Sequence, residues 1–230
     1  MLRRPALQAS HPPLCPRSTL QLRDAMQLDV ERLTRAVGRN VPRETIEKLD
    51  AYAALLREEA ARQNLVSAST LENLWDRHIV DSAQLVRFEP SSGCSWADIG
   101  SGAGLPGVVV ACLVTGPVTL IEPRRLRADF LHRVAESLHL NAKVVLGKAE
   151  RAGGEYDVIT ARAVAPLSAL LRISAHLSTK NTVWVLPKGR SASAELAEAQ
   201  QAWQGVFHVE QSVTDADSRI VVATGVRARR

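Results

Sequence analysis

The stretch that most constrains this chain is a run of glycines set between two apolar segments. Gly100, Gly102, Gly104 and Gly107 fall within eight residues, directly after Trp96–Ile99 and before the apolar run Val108–Val114. Glycine takes positive φ without strain and puts no Cβ between backbone amides and a ligand. At a turn from strand to helix, such a run lets the backbone close on a small molecule. Ordinary surface turns also use glycines, but the strand before and the helix after single this one out.

The surrounding sequence supplies the frame. Apolar positions at Leu22, Met26, Val30, Leu33 and Val37 recur at helical spacing, and Gly38 and Asn40 stop the pattern. Pro42 opens a second helix carrying Ile46, Leu49, Tyr52, Ala53 and Leu56 to about Arg62. A third, capped by Ser69 or Thr70, buries Leu71, Leu74, Trp75, Ile79, Ala83 and Val86 and ends before Pro90. From Ser95 the texture changes. Short apolar runs at 97–99, 118–121, 144–146, 158–160 and 183–186 alternate with helix-length segments at 105–114, 125–139, 166–177 and 192–203. That alternation specifies an α/β fold with a parallel sheet covered on both faces. Val206–Val213 and Arg219–Val226, joined by the polar residues 214–218, form a terminal hairpin. The expected organisation is a disordered or variable tail over 1–20, a helical cap over 21–90 and an α/β domain over 91–230.

Composition excludes several classes. The longest apolar run has seven residues, Val108–Val114, against roughly 20 for a membrane helix. No membrane association is expected. The three cysteines, Cys15, Cys94 and Cys112, are odd in number and never spaced C-x-x-C, so neither a disulfide framework nor a metal site is legible. Cys112 reads as core, and Cys94, just before a strand, is the one candidate reactive thiol. The first residues have basic and proline positions but no apolar h-region, so a cytoplasmic location is expected. A net charge of +5 permits a nucleic-acid partner without requiring one.

Two ligands compete for the glycine bend, because residues 102–107 also satisfy the dinucleotide pattern G-x-G-x-x-G. Asp98 separates them. A carboxylate at the strand's end repels a pyrophosphate but meets the cationic aminoacyl end of S-adenosylmethionine, directly or through water. Glu122, twenty-four residues beyond Asp98 at the end of the next strand, is placed to accept ribose hydroxyls. Ala149 and Glu150 follow the third strand, where an adenine ring rests at the carboxyl edge of such sheets.

Four ordered motifs extend the pattern: Arg77-His78-Ile79-Val80-Asp81-Ser82, the bend from Asp98 to Gly107, Thr160-Ala161-Arg162-Ala163, and Leu186-Pro187-Lys188-Gly189. Together they resemble the bacterial glucose-inhibited division protein B family, whose members methylate guanine N7 in small-subunit ribosomal RNA. The resemblance runs from about Tyr52 to the terminal hairpin. It implies a Rossmann-like class I methyltransferase sheet, S-adenosyl-L-methionine as cofactor, and 16S ribosomal RNA or the 30S subunit as partner of a monomeric enzyme. The family's cofactor contacts fall here on Gly100, Leu105, the Ala149-Glu150 pair and Arg162; Gly102 and Gly104 belong to the same bend. The chain departs from the family at Glu59-Ala60, where relatives carry Trp-Asn, at Val66, where they carry Thr, and at Leu126, where a lysine is common.

Guanine N7 already carries a lone pair and loses no proton on methylation, so alignment outweighs acid–base chemistry. Orientation alone can supply roughly 7 to 11 kcal/mol. The chain has no Asn-Pro-Pro-Tyr or Asp-Pro-Pro-Tyr for exocyclic-amine methylation and no Pro-Cys nucleophile for pyrimidine C5. Arg162 and Lys188, at the ends of adjacent strands, are the expected catalytic pair, holding guanine O6 or a neighbouring phosphate; snorkelling at the sheet edge is the plainer alternative for both. Arg77 and His78, with Asp81 one turn on, are placed on a helix that lids the pocket. Arg124, Arg125, Arg127 and Lys148, with Arg151, form a candidate RNA rim. Trp75 and Trp96 are candidates to stack on an extruded base, and Arg227 to Arg230 a basic tail. Two other functions remain open at this point: an NAD(P)-dependent reductase, and a non-catalytic RNA-binding assembly factor.

Overall fold

In a computed structural model of the chain, residues 19–229 are described. Residues 1–18 of the expected tail, with Cys15, lie outside them, whereas Thr19 and Leu20, expected in that tail, already belong to the first helix. The helical part comprises α1 (Thr19–Val37), α2 (Arg43–Ala60) and α3 (Ala68–Glu72). A π-helical turn (Leu74–Ile79), α4 (Val80–Ala83) and a 3₁₀ turn (Gln84–Phe88) follow in one path. The third expected helix is thus a chain of short pieces. Its cap is Ser67, whose hydroxyl accepts from Thr70 N–H at 3.2 Å, not Ser69 or Thr70. The π turn lies on the segment that carries Arg77 and His78, and such irregular turns are frequent at functional sites.

The strands are β1 (Trp96–Ile99), β2 (Val118–Glu122), β3 (Ala142–Leu146), β4 (Tyr156–Ala161), β5 (Ser178–Lys188), β6 (Trp203–Gln211) and β7 (Arg219–Ala228). They form a single seven-stranded sheet in the order β3-β2-β1-β4-β5-β7-β6. β1 to β5 pair in parallel, and β7 runs antiparallel between β5 and β6. The intervening helices are α5 (Gly107–Leu113), α6 (Arg125–Ser137), α7 (Leu167–Ser174) and α8 (Ala192–Ala202).

Alternate strand residues serve opposite faces, as the two-residue period of a strand requires. Trp96, Leu120, Val158 and Val185 join α5, α6 and the helical cap residues Leu49, Tyr52, Leu56 and Ile79 in one core. Ala97, Ile99, Ile121, Ile159 and Trp184 face the other way, onto α7 and α8. The cap therefore shares its apolar core with the sheet. Trp96 is fully buried in it and is not available to stack on a base.

The order of the strands reverses between β1 and β4. Ligands of open α/β sheets bind at the carboxyl ends beside such a reversal. Both the glycine bend and Arg162 are there.

Candidate active site

The bend leaves β1 at Asp98-Ile99 and enters α5 at Gly107. Gly100, Gly102 and Gly104 have φ of +68°, +57° and +96°, a region that side-chain-bearing residues avoid. At Gly100, Gly104 and Gly107 space forbids a side chain as well. A Cβ on Gly104 would lie 2.5 Å from a Val108 methyl, and one on Gly107 2.4 Å from Asp98 Oδ2. Gly100 N–H and Ser101 N–H donate to the Ile121 carbonyl at 2.8 and 3.1 Å, tying the bend to β2. Tyr52 of α2 donates its phenol hydrogen to the Ala103 carbonyl at 2.9 Å. The cap thus braces the bend, a role that Tyr52's place in a helical stripe did not disclose.

Two carboxylates flank these glycines. Asp98 is fully buried; its Oδ2 accepts from Gly107 N–H at 3.1 Å, and its Oδ1 has no partner within the protein. Burial pushes the Asp98 carboxyl up to about 7, against the opposing pull of the Ser101 hydroxyl, Gly107 N–H and Arg162. Glu122, also buried, accepts Gly102 N–H on Oε2 at 2.8 Å and Arg124 N–H on Oε1 at 2.9 Å. The Gly102 amide expected to face a ligand is therefore committed to Glu122. Leu105 is buried at the far side of the bend.

Across the switch point, the segment 162–165 follows β4. Val164 packs over Gly100, a methyl lying 2.7 Å from where a Cβ would stand. The half-buried Arg162 directs Nη1 to His78 Nδ1 at 3.3 Å and lies 3.9 Å from Asp81 Oδ2. Burial, and next the charge of Arg162, hold His78 below the usual histidine range, so the neutral ring accepts from the guanidinium. Arg162, Lys188 and Arg219 line a cleft of about 460 Å³ with Asp81 and Glu195; a neighbouring polar cleft of about 350 Å³ holds Arg77, His78 and Thr214.

Lys188 and Arg162 stand at the ends of adjacent strands, as expected. The structure gives the Lys188 ammonium different work from the free acceptor contact read from the sequence: Nζ donates to the Ala165 carbonyl at 2.9 Å and ion-pairs with Glu195 Oε2 at 2.9 Å. Glu195 in turn accepts Leu167 N–H. Lys188 thereby pins the loop after β4 to the start of α8. Arg219, opposite Lys188 in the β5–β7 register, was missed. Among the described residues its guanidinium meets the carbonyls of Ala216 and Ser218 and no carboxylate, unlike the other cleft cations Arg162 and Lys188.

The remaining candidates separate. Ala149 is buried and Glu150 exposed on a 3₁₀ turn after β3. Arg124, Arg125 and Lys148 are exposed around Glu122, whereas Arg127 is half-buried with Nη2 3.4 Å from the Asn64 carbonyl. Arg77 pairs with Asp215 of the hairpin turn at 3.0 Å. Arg229 is not a free tail: its Nε donates to the Gln200 and Trp203 carbonyls. Cys94 is buried. At the family departure, Glu59 accepts from Arg133 at 2.7 Å and Gln63 at 2.7 Å, joining α2 to α6.

The donor set suits a cationic amino acid ligand better than a dinucleotide. Two buried carboxylates border the bend, one oxygen of Asp98 lacks a partner, and the amide best placed for a phosphate is already bonded. A sheet in this order, with a glycine bend and strand-end acid at its reversal, defines the Rossmann-like class I methyltransferase fold. TrmN from Thermus thermophilus, a solved structure, shares that fold, with a TM-score of 0.50 at 20% identity over 64% of this chain and 48% of that one.

Residues 45–221 match the family model for rRNA small subunit methyltransferase G, and the chain belongs to that family. Among curated relatives, the ribosomal RNA small subunit methyltransferase G of Zymomonas mobilis is 43% identical over 199 residues, covering 83% of this chain and 90% of the relative. That of Sphingopyxis alaskensis is 48% identical over 181 residues, covering 77% and 78%.

Proposed function

We propose that this chain transfers a methyl group from S-adenosyl-L-methionine to N7 of a guanine in 16S ribosomal RNA, acting as a cytoplasmic monomer on the RNA or the 30S subunit. Residues 91–230 form the catalytic domain and 21–90 its cap. The observation that carries the reading is the pairing of Asp98 and Glu122 around the glycine bend, opposite Arg162, in a member of this family.

When bound, S-adenosylmethionine supplies an electrophilic methyl on a sulfonium. Asp98 holds the cationic aminoacyl end, Glu122 the ribose hydroxyls, and Gly100, Gly104, Leu105 and the Ala149-Glu150 pair close around the remainder. Gly102 acts indirectly, by fixing Glu122. Arg162 borders both the bend and the acceptor cleft, where its guanidinium orients guanine through O6 and leaves N7 free. Lys188 supports the loop that presents Arg162. Arg219 and the exposed Arg124, Arg125 and Lys148 neutralise RNA phosphates, joined on the cap side by Arg77, where the neutral His78 offers a hydrogen bond instead of charge. Arg127 steadies the rim from beneath.

A nicotinamide dinucleotide is the poorer fit, since its pyrophosphate would meet Glu122 instead of a free amide. The test is to incubate the protein with labelled S-adenosylmethionine and small subunits from a strain lacking N7 methylation, then map the modified nucleoside. Label in 7-methylguanosine of 16S RNA supports the reading. Tight RNA binding without transfer would favour an assembly factor.

A further inference from the structure

We propose that Asp81 is a positioning residue for methyl transfer: it sets the Arg162 guanidinium and docks the turn of the terminal hairpin as the outer wall of the acceptor cleft. The inference rests on the functional reading above and deepens it.

Asp81 sits on α4, where cap, sheet and hairpin meet. Its Oδ1 accepts from Gln84 Nε2 at 2.7 Å, Thr214 Oγ1 at 2.7 Å and Ser212 Oγ at 3.3 Å. Its Oδ2 lies 3.9 Å from Arg162 Nη1. The buried Gln84 completes the junction, accepting Val213 N–H on Oε1 at 2.9 Å and donating to Ser212 Oγ at 3.0 Å. Asp81 borders both clefts, and so do Arg162 and Ser218.

The two oxygens do different jobs. The contacts through Oδ1 need only an acceptor, which a neutral amide also offers. The facing of Oδ2 to a half-buried guanidinium needs charge, because a cation partly removed from water costs free energy unless a carboxylate compensates it. Among the described residues the other hydrogen-bond partner of Arg162 is His78, whose neutral ring supplies no compensation, and Asp98 acts on the guanidinium only from beyond ion-pair distance. Without the Asp81 charge, Arg162 is expected to turn toward solvent or toward Glu195, away from the pose that orients guanine. The turn joins β6 to β7, whose register with β5 carries it to this end of the sheet; the clasp from Asp81, more than 120 residues away in sequence, then fixes the side chains of 212–214 against the cap.

Asp81→Asn separates charge from shape. Its kcat on small subunits is expected to fall about tenfold or more while the Kd for S-adenosylhomocysteine and the melting temperature stay near wild type. The double variant with Arg162→Lys is expected to be no slower than Arg162→Lys alone, the mark of one residue acting through the other. Wild-type kcat in Asp81→Asn, or losses that multiply in the double variant, would overturn the inference. If Asp81→Asn does not fold, Thr214→Val decides. It leaves every charge in place and is expected to raise KM for subunits about threefold and to speed amide exchange at Val213; no change in either would overturn the clasp. A wild-type protein that transfers no methyl refutes the functional reading itself, whereas an active wild type with an unaltered Asp81→Asn refutes only this inference.

Discussion

The glycine bend after β1 and the loop after β4 face each other across one switch point, but they are held in different ways. The bend is fastened by neighbours: among the described residues its bonds run within 98–108 and to the end of β2 at 121–122, with Tyr52 as a distant brace. The side proposed for the methyl acceptor is assembled from residues far apart in the chain: Arg162 with His78 and Asp81, Lys188 with Glu195 across the loop it steadies, Arg77 with Asp215. Backbone geometry dominates one side and charge pairing the other. The donor side should therefore be intolerant of added atoms, while the acceptor side should lose function in graded steps as single charges go.

Four variants would break or sharpen that contrast. The largest effect is expected from Gly104→Ala, which meets both a φ of +96° and a Val108 methyl at 2.5 Å. Denaturant unfolding should show a loss of about 2 to 4 kcal/mol, with no measurable cofactor binding. Near-normal stability would show that the bend is looser than it looks.

Asp98→Asn should weaken S-adenosylmethionine binding by about 10- to 100-fold at pH 8, the scale of a hydrogen bond to a charged group. Stability moves the opposite way. Because burial raises the folded carboxyl up to about 7, above its unfolded value near 3.9, the folded state favours the protonated form, and its contribution to stability is lost as pH rises toward 7. The asparagine variant should therefore melt higher than wild type at about pH 8, the gap closing as pH falls below 7. A gap that widened on acidification would contradict the assignment.

On the acceptor side, Lys188→Ala removes the support of the 162–165 loop. Methylation should drop about tenfold with cofactor affinity within about twofold of wild type; equal loss of both would make Lys188 a cofactor contact. The smallest effect belongs to Arg219→Gln. Binding to subunits should weaken about threefold to tenfold, and the slope of log K against log salt should shrink by about one phosphate contact. An unchanged slope would remove Arg219 from the RNA surface.

How much was legible in the sequence follows the same division. The bend, Asp98, Glu122 and the α/β alternation could be read because local spacing encodes them, and strands such as β1, β2 and β4 lay within two residues of their expected ends. The third helix reads as continuous in the sequence because periodicity records which face is buried, not whether the hydrogen bonds step by three, four or five residues. The engagement of Lys188 with Glu195, the freedom of Arg219 and the bracing by Tyr52 were not legible. Each depends on a partner brought near only by the folded sheet, and no spacing rule marks it. Glu59 is similar: its departure from the family pattern gave no hint of Arg133 as its partner.

The most direct measurement of the central claim is a calorimetric titration of the intact protein with S-adenosylmethionine and with NADPH at about pH 8 and about pH 6. The sulfonium ligand is expected to bind one-to-one, more tightly at the higher pH where Asp98 is ionised, and NADPH not to bind. Saturable NADPH binding, or S-adenosylmethionine affinity that rises on acidification, would contradict the account.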